Sequence, residues 1–490
     1  MLPWSSLISF EKNADQPVYL QIANTIIKEI RSGILKPGLK LPSTRAMSQI
    51  LAVHRKTIVQ AYDELDAQGW VEIKPSKGAF ISDTLPETTP VKLSARAPSA
   101  TKMNKTGFTL KSISYINIPS KTLRETTGFH DGPDVRLVPV KQIARTYQGI
   151  LKRKTGLQNL SYVNVDGRQN LRKIFSEEMN MMRGMNTSPD NIFITRGSQM
   201  GLFLISQVLF SKNDIVIVGE VDYYYACQTF IHAGAKLLRV SMDDCGLNIE
   251  QIAEICKTTA IRAVYVTSHH HYPTTVTLSA ARRMKLLALS EQYGFVIMED
   301  DYDYDFHYET NPILPVASAD RKGMVIYIGT LSKTIAPAIR IGYVVAPQTL
   351  ITELSKIRQI IDMQGDPIME QAVAELYLEG EIRRHMKKAI KEYKERRDLL
   401  CALLSERLSD CVDFKKPDGG IAIWAKYDKK INLPALSQQL RAKGLILSSG
   451  LIHNPSEDVQ LNATRMGFGW MNKQEIVKAV DILHDAIRRK

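Results

Sequence analysis

The spacing of apolar residues changes period along this chain, and that change limits the fold more than any single motif. Over residues 18–83 the spacing is helical. Tyr19, Ile22, Ile26 and Ile30 mark one helix, with Gly33 placed to end it. Ser43 is an N-cap for a short helix that buries Met47, Ile50 and Leu51. A third helix buries Ile58, Ala61, Tyr62 and Leu65 and ends at Gly69. Two short runs, Trp70–Ile73 and Ala79–Ser82, then form a hairpin with the basic tip Lys74-Pro-Ser-Lys-Gly78. Residues 84–122 lose all periodicity and are rich in Pro, Thr, Ser and Lys, which reads as a linker. From about residue 125 short apolar strands alternate with helical stretches. The strands are Ile215–Val218, Ala263–Thr267, Phe295–Met298 and Val325–Ile328, and Ala280–Gln292 is one of the intervening helices. Such alternation calls for a mostly parallel sheet covered by helices. The last part looks like a smaller α+β unit, with a charged helix around Ile382–Leu400 and a strand at Gly420–Trp424.

A chain of 490 residues is too long for one ordinary domain. The expected division is a head at 12–83, a linker at 84–122 and a body at 123–490, the body split into 123–375 and 376–490. The net charge of +13 permits a polyanionic partner without naming one. Residues 1–83 carry ten Lys/Arg against eight Asp/Glu, so the head is not where the excess sits. The five scattered cysteines fit neither a disulfide framework nor a zinc site and point to a reducing cytosol. No apolar run reaches membrane-spanning length and the start does not read as a signal peptide, so a soluble cytoplasmic protein is expected.

Three helices and a hairpin give the winged helix-turn-helix layout, whose second turn helix enters the major groove of double-stranded DNA. The residues at that helix start are His54, Arg55, Lys56 and Thr57. Arg45 on the preceding helix is placed for a phosphate or a base, and Lys77 and Gly78 at the hairpin tip for the minor groove. The runs Leu41-Pro-Ser-Thr-Arg-Ala46, Arg55-Lys-Thr-Ile-Val-Gln-Ala-Tyr-Asp-Glu-Leu65 and Gly69-Trp-Val71 resemble the GntR family of bacterial regulators. His54 departs from the Ser or Thr usual there as helix cap. The departure weakens the cap by about 1 kcal/mol or gives a histidine to DNA.

Lys333 follows the strand Val325–Ile328 across a Gly-Thr-Leu-Ser turn, at the end where parallel sheets bind ligands. A lysine amine there can form a Schiff base with an aldehyde cofactor, pyridoxal 5'-phosphate being the obvious one. That cofactor needs a carboxylate for its ring nitrogen, donors for its phosphate and an aromatic face. Asp300 is the candidate ring partner and Tyr302 a donor to the phenolic oxygen. Arg340, Thr330 and Ser332 are phosphate donors, joined by the helix start Gly197-Ser198-Gln199. Tyr223 is the stacking aromatic, with Tyr224 and Tyr225 as competitors. Arg465 is a clamp for an effector or substrate carboxylate. Neighbours on an extended segment point to alternate sides, so His269-His-His271 does not converge on one ion and no metal is expected. The basic run from Arg383 to Arg397 reads as a solvated helix face.

The run Gly329–Tyr343, with the order Gly-Ser-Gln, aromatic, Asp-x-Tyr, Ser-Lys, Arg, resembles the fold-type I aminotransferases of class I/II. Head, linker and body together resemble the MocR subfamily of transcriptional regulators. That resemblance implies a multidomain fold: an α+β winged helix-turn-helix, an α/β fold-type I body and a small C-terminal α+β subdomain. It further implies a homodimer with swapped heads, an operator of two half-sites, and an amino acid or amino-compound effector that tunes DNA binding. Two alternatives share the architecture: an active aminotransferase with a vestigial head, and a regulator sensing pyridoxal phosphate itself. In two places the chain departs from the subfamily. The loop Gly219-Glu-Val-Asp-Tyr223 lacks the usual Pro-Gly, and Thr275 stands where Gly is usual, near the cofactor's ring.

Overall fold

The computed structural model describes residues 2–11, 14, 16–85, 106–111, 113, 116, 127–154, 156–162, 164–309, 313–453 and 461–488. The chain divides into two compact units, Met1–Ser112 and Ile113–Lys490. Most of the stretch 84–122, read above as a linker, lies outside the described residues. Among the described residues no helix is long and apolar enough to cross a membrane.

In the first unit a single turn, Trp4–Leu7, precedes α1 (Val18–Arg31), α2 (Thr44–Ile50) and α3 (Arg55–Ala67). The hairpin follows as β1 (Val71–Lys74) and β2 (Gly78–Ile81), paired antiparallel. α1 contributes Ile22, Ile26 and Ile30 to the core, and α3 adds Ile58, Ala61, Tyr62 and Leu65. Trp4 and Ile8 close that core from the N-terminal side. Ser43 caps α2 by accepting from Ala46 N at 3.2 Å. Met47 and Leu51 are buried, but Ile50 is not. It lies at the edge of the apolar face of a seven-residue helix and is 40% exposed.

The second unit is built on a seven-stranded sheet. Its strands in chain order are β3 (Ile192–Thr195), β4 (Ile215–Gly219), β5 (Lys236–Val240), β6 (Ala263–Val266), β7 (Val296–Asp301), β8 (Val325–Thr330) and β9 (Gly342–Val345). Their spatial order is β3-β9-β8-β7-β6-β4-β5. All neighbours run parallel except β9, which is antiparallel to both β8 and β3. Successive strand residues point to opposite faces. Val216 and Val218 join one buried cluster and Ile217 another, and Met298 and Ile297 divide the same way. Both faces are therefore covered, which explains why these strands are apolar at every position rather than alternating.

The last part of the chain holds the long helix α4 (Glu381–Leu408) and the antiparallel strands β10 (Val412–Phe414), β11 (Ala422–Tyr427) and β12 (Ala463–Gly467). The strand expected at Gly420–Trp424 begins two residues later, after Gly420 in the left-handed region at φ +73. The basic face of α4 is not wholly solvated. Arg396 and Arg397 are buried at 3% and 0% exposure. Arg396 pairs with Asp134 at 3.0 Å and donates to Gly469 O, while Arg397 donates to Pro417 O and meets Glu309. Sequence spacing alone does not reveal these remote partners, which make the burial of two guanidiniums tolerable.

A candidate cofactor pocket and a candidate DNA-reading face

The pocket forms where parallel strands end. Asp300 is the penultimate residue of β7, in register with Ile328 of β8. Thr330 closes β8 and caps the short helix Leu331–Thr334, its hydroxyl accepting from Ser332 N at 3.1 Å. That cap points Lys333 into a cavity of about 350 Å³. Ser198, Gln199, Tyr223, Asp300, Tyr302, Thr330, Ser332, Lys333 and Arg340, all singled out from the sequence, line this one cavity.

Asp300 is 3% exposed. One of its oxygens accepts from the Tyr265 hydroxyl at 2.9 Å, while the other is buried without a hydrogen-bond partner. Burial, helped by the neighbouring Asp301 and Asp303 and opposed by the Tyr265 bond, pushes its pKa up to about 7. A buried carboxylate with a free oxygen facing a cavity is a ready acceptor for a protonated ring nitrogen.

At the other end, Gly197 caps the helix Ser198–Leu209 with φ +83 and ψ 166, a region open only to glycine. A Cβ there would stand 2.7 Å from Arg340 Nη2. The backbone thus presses the Arg340 guanidinium against the start of a twelve-residue helix. Helix N–H groups and a guanidinium side by side form an anion cradle. With Lys333 lining the same cavity as that cradle and Asp300, the residues present fit pyridoxal phosphate.

Some other placements differ from the sequence reading and some agree with it. The Tyr302 hydroxyl donates to His270 O at 2.8 Å, so its one proton serves the backbone rather than the cavity. Of the three candidate stacking rings, Tyr223 and Tyr225 line the cavity and Tyr224 does not. Thr275, expected near the ring, instead lines a neighbouring cleft with Glu220 and Trp424, and it adopts φ +63. Three adjacent histidines diverge: His269 pairs with Asp301 at 3.0 Å, His270 with Asp303 at 2.9 Å, and His271 with Thr274 at 2.9 Å. Arg465 on β12 sits behind the lining, its guanidinium 5.0 Å from the Tyr272 ring and 5.7 Å from the Tyr302 ring. Its Nε lies 3.1 Å from Asp131 Oδ1.

Sequence reasoning missed Tyr265, Tyr272 and Asp131. A tyrosine inside an otherwise apolar strand was a signal for Tyr265. Nothing local marked Asp131, which stands some 200 residues before Lys333.

On the head, Arg45, His54, Arg55 and Lys56 are exposed and Thr57 half-buried, and all belong to α2 or to the start of α3. His54 does cap α3: its Nδ1 accepts from Lys56 N at 3.2 Å. The ring nitrogen therefore replaces the usual hydroxyl oxygen. Arg55 Nε donates to Thr44 Oγ1 at 3.4 Å, tying the two helices at their exposed ends. Lys77 and Gly78 are exposed at the hairpin, and Gly78 has φ +108.

The family described as aminotransferase class I and II matches residues 134–481, and the bacterial regulatory proteins of the gntR family match residues 18–81. The chain is similar to the probable rhizopine catabolism regulatory protein MocR of Rhizobium meliloti, with 24% identity covering 98% of this chain and 96% of that one. It is also similar to aromatic-amino-acid aminotransferase 1 of Thermococcus litoralis, with 31% identity over 73% of this chain and 87% of that one. Among solved structures, the kynurenine aminotransferase of Pyrococcus horikoshii, in complex with PMP and with kynurenine as substrate, superposes with a TM-score of 0.69. It shares 28% identity and covers 75% of this chain and 92% of that one.

Proposed function

The chain belongs to the class I and II aminotransferase family, in the MocR-type fusion that sets a gntR-family head before such a body, and from that footing we propose how its pocket tunes a transcriptional regulator. The head binds double-stranded DNA. The pocket holds pyridoxal 5'-phosphate and receives an amino-compound effector, and the effector changes the affinity of the heads for an operator.

Lys333 would hold the cofactor covalently. Asp300 would hold a proton on the ring nitrogen with its unpartnered oxygen, kept in that orientation by Tyr265. The Ser198 helix start, Arg340, Thr330 and Ser332 would hold the phosphate, and Tyr223 or Tyr225 would cover the ring. Pyridoxal phosphate supplies, when bound, an aldehyde carbon open to amines and a protonated ring that draws electrons from it. An effector amine would take the place of Lys333 in the site, so the lysine side chain would be held in one state and free in the other. Only a difference in effector affinity between two body conformations can move their equilibrium. The working unit is a homodimer whose two heads meet two half-sites, so the readout is their spacing. The observation that carries this reading is the free Asp300 oxygen, which shares one cavity with Lys333 and Arg340.

The test is the affinity of the full-length protein for its own upstream DNA, measured without cofactor, with cofactor, and with cofactor plus a panel of amines and amino acids. A shift that requires an added amino compound supports the proposal. A shift complete with cofactor alone makes pyridoxal phosphate itself the signal. No DNA binding at moderate salt, together with amino-group transfer to a keto acid, makes the protein an aminotransferase. The intact set of Lys333 and Asp300 keeps that second reading in view.

A further inference from the structure

The guanidinium of Arg465 is 4% exposed and stacks on two tyrosine rings, so a bare positive charge there is costly. It is already answered. Asp131 Oδ1 lies 3.1 Å from Arg465 Nε, and Asp131 Oδ2 lies 3.8 Å from Lys333 Nζ. Lys333 Nζ also donates to the backbone carbonyl of Asp131. Asp131 lines the cavity, with a quarter of its side chain open. Burial pushes the Asp131 carboxyl up, but Arg465 and then Lys333 outweigh it and hold the group below its ordinary value. A carboxylate thus stands between the amine position and the guanidinium.

An α-amino acid that presented its nitrogen at the Lys333 position would carry its own carboxylate one carbon away, into this same place. Two carboxylates would then share one guanidinium in a buried site, and like charges at that range oppose binding. An amine without that carboxylate arrives as a cation and meets Asp131 as an attractive partner. Arg465 Nε and Nη2 and Asp131 Oδ1 also make no hydrogen bonds. The pair is therefore held by charge and position, and a change at Asp131 frees the guanidinium.

We infer, resting on the reading of this cavity as the amine site, that Asp131 is a built-in counter-ion filling the carboxylate place beside Arg465. The effector is then a primary amine with no carboxylate on its amino-bearing carbon.

The probes are n-butylamine and 2-aminopentanoic acid, which differ by that one carboxylate. Each is titrated into cofactor-loaded full-length protein and followed by the cofactor's visible absorbance. The wild type is expected to favour butylamine by at least about tenfold. Asp131→Asn should abolish or invert that preference, and Asp131→Ala serves should the first variant fail to fold. A second readout needs no cofactor: calorimetric titration with pentanoate should show binding to the Asp131 variants and not to the wild type. Equal wild-type affinity for the two probes overturns the inference, as does an equal loss of both in the variants. A wild type that takes up no cofactor overturns the pocket reading itself, and this inference with it. A loaded protein with the opposite preference overturns this inference alone.

Discussion

Tyr265 donates to one oxygen of Asp300 at 2.9 Å and leaves the other oxygen buried and unpaired. Burial and neighbouring acids raise the Asp300 pKa from 3.8 to about 7, so the cofactor-free folded state holds this proton to higher pH than the unfolded chain does. The stability from this group is full below about pH 4 and is lost as pH rises to about 7. The loss is on the order of 4 kcal/mol. Asp300→Asn has no proton to lose and can still accept from Tyr265. Urea unfolding of the cofactor-free protein should show the variant gaining on the wild type by a few kcal/mol between pH 5 and pH 8. An equal gap at both pH values would mean that Asp300 ionises there without penalty.

Lys333→Ala should remove the absorbance of lysine-bound cofactor and prevent borohydride from fixing it to the protein. Weak non-covalent uptake should survive through Arg340 and the Ser198 helix start. Cofactor still reduced onto the chain in this variant would move the covalent role to another lysine.

Gly197→Ala meets two obstacles: a backbone at φ +83 and an Arg340 nitrogen 2.7 Å from the new carbon. Displacing the guanidinium from the anion cradle should weaken pyridoxal phosphate by about tenfold or more, about 1.4 kcal/mol of lost contact, while the backbone strain of about 1–3 kcal/mol is carried by the folded protein with or without cofactor. The melting temperature of the cofactor-free protein should fall by a few degrees through that strain. Unchanged cofactor affinity, measured by equilibrium dialysis, would place the phosphate elsewhere.

The head offers a paired test. His54→Ala removes the α3 cap and should cost about 1 kcal/mol of head stability, while His54→Ser restores an oxygen acceptor and should recover it. Arg55→Ala leaves the cap in place and should weaken specific DNA binding by about 1–3 kcal/mol. Gel shifts on one operator at fixed salt separate the effects. If Arg55→Ala binds as the wild type does, the reading helix is wrongly assigned.

Much of this was legible from residues alone, because period and punctuation are local. The helix start at Ser43, the stop at Gly69 and the strands around Ile217 and Ile297 follow from side-chain spacing. So does Lys333 after an apolar strand. What stayed hidden depends on distance in the chain. Arg396 and Arg397 look solvated on a helix rich in charge, and only Asp134, Glu309 and the carbonyls of Pro417 and Gly469 explain their burial. Asp131 and Arg465 meet across more than 300 residues. His54 looked like a defect because capping was equated with a hydroxyl, whereas a ring nitrogen makes the same bond.

Every buried side chain in the core of the head comes from the stretch Trp4–Ile81, while Arg55 and Lys56 face outward from the first turn of α3. Arg45 and Lys56, placed to read an operator, thus lie outside the core that folds the reader, whereas His54 and Arg55 serve both, the one capping α3 and the other tying it to α2. Mutation can rewrite the target sequence at Arg45 and Lys56 while the scaffold stays intact. A gene duplicate rewritten at those positions would keep its chemical sense and acquire a new promoter.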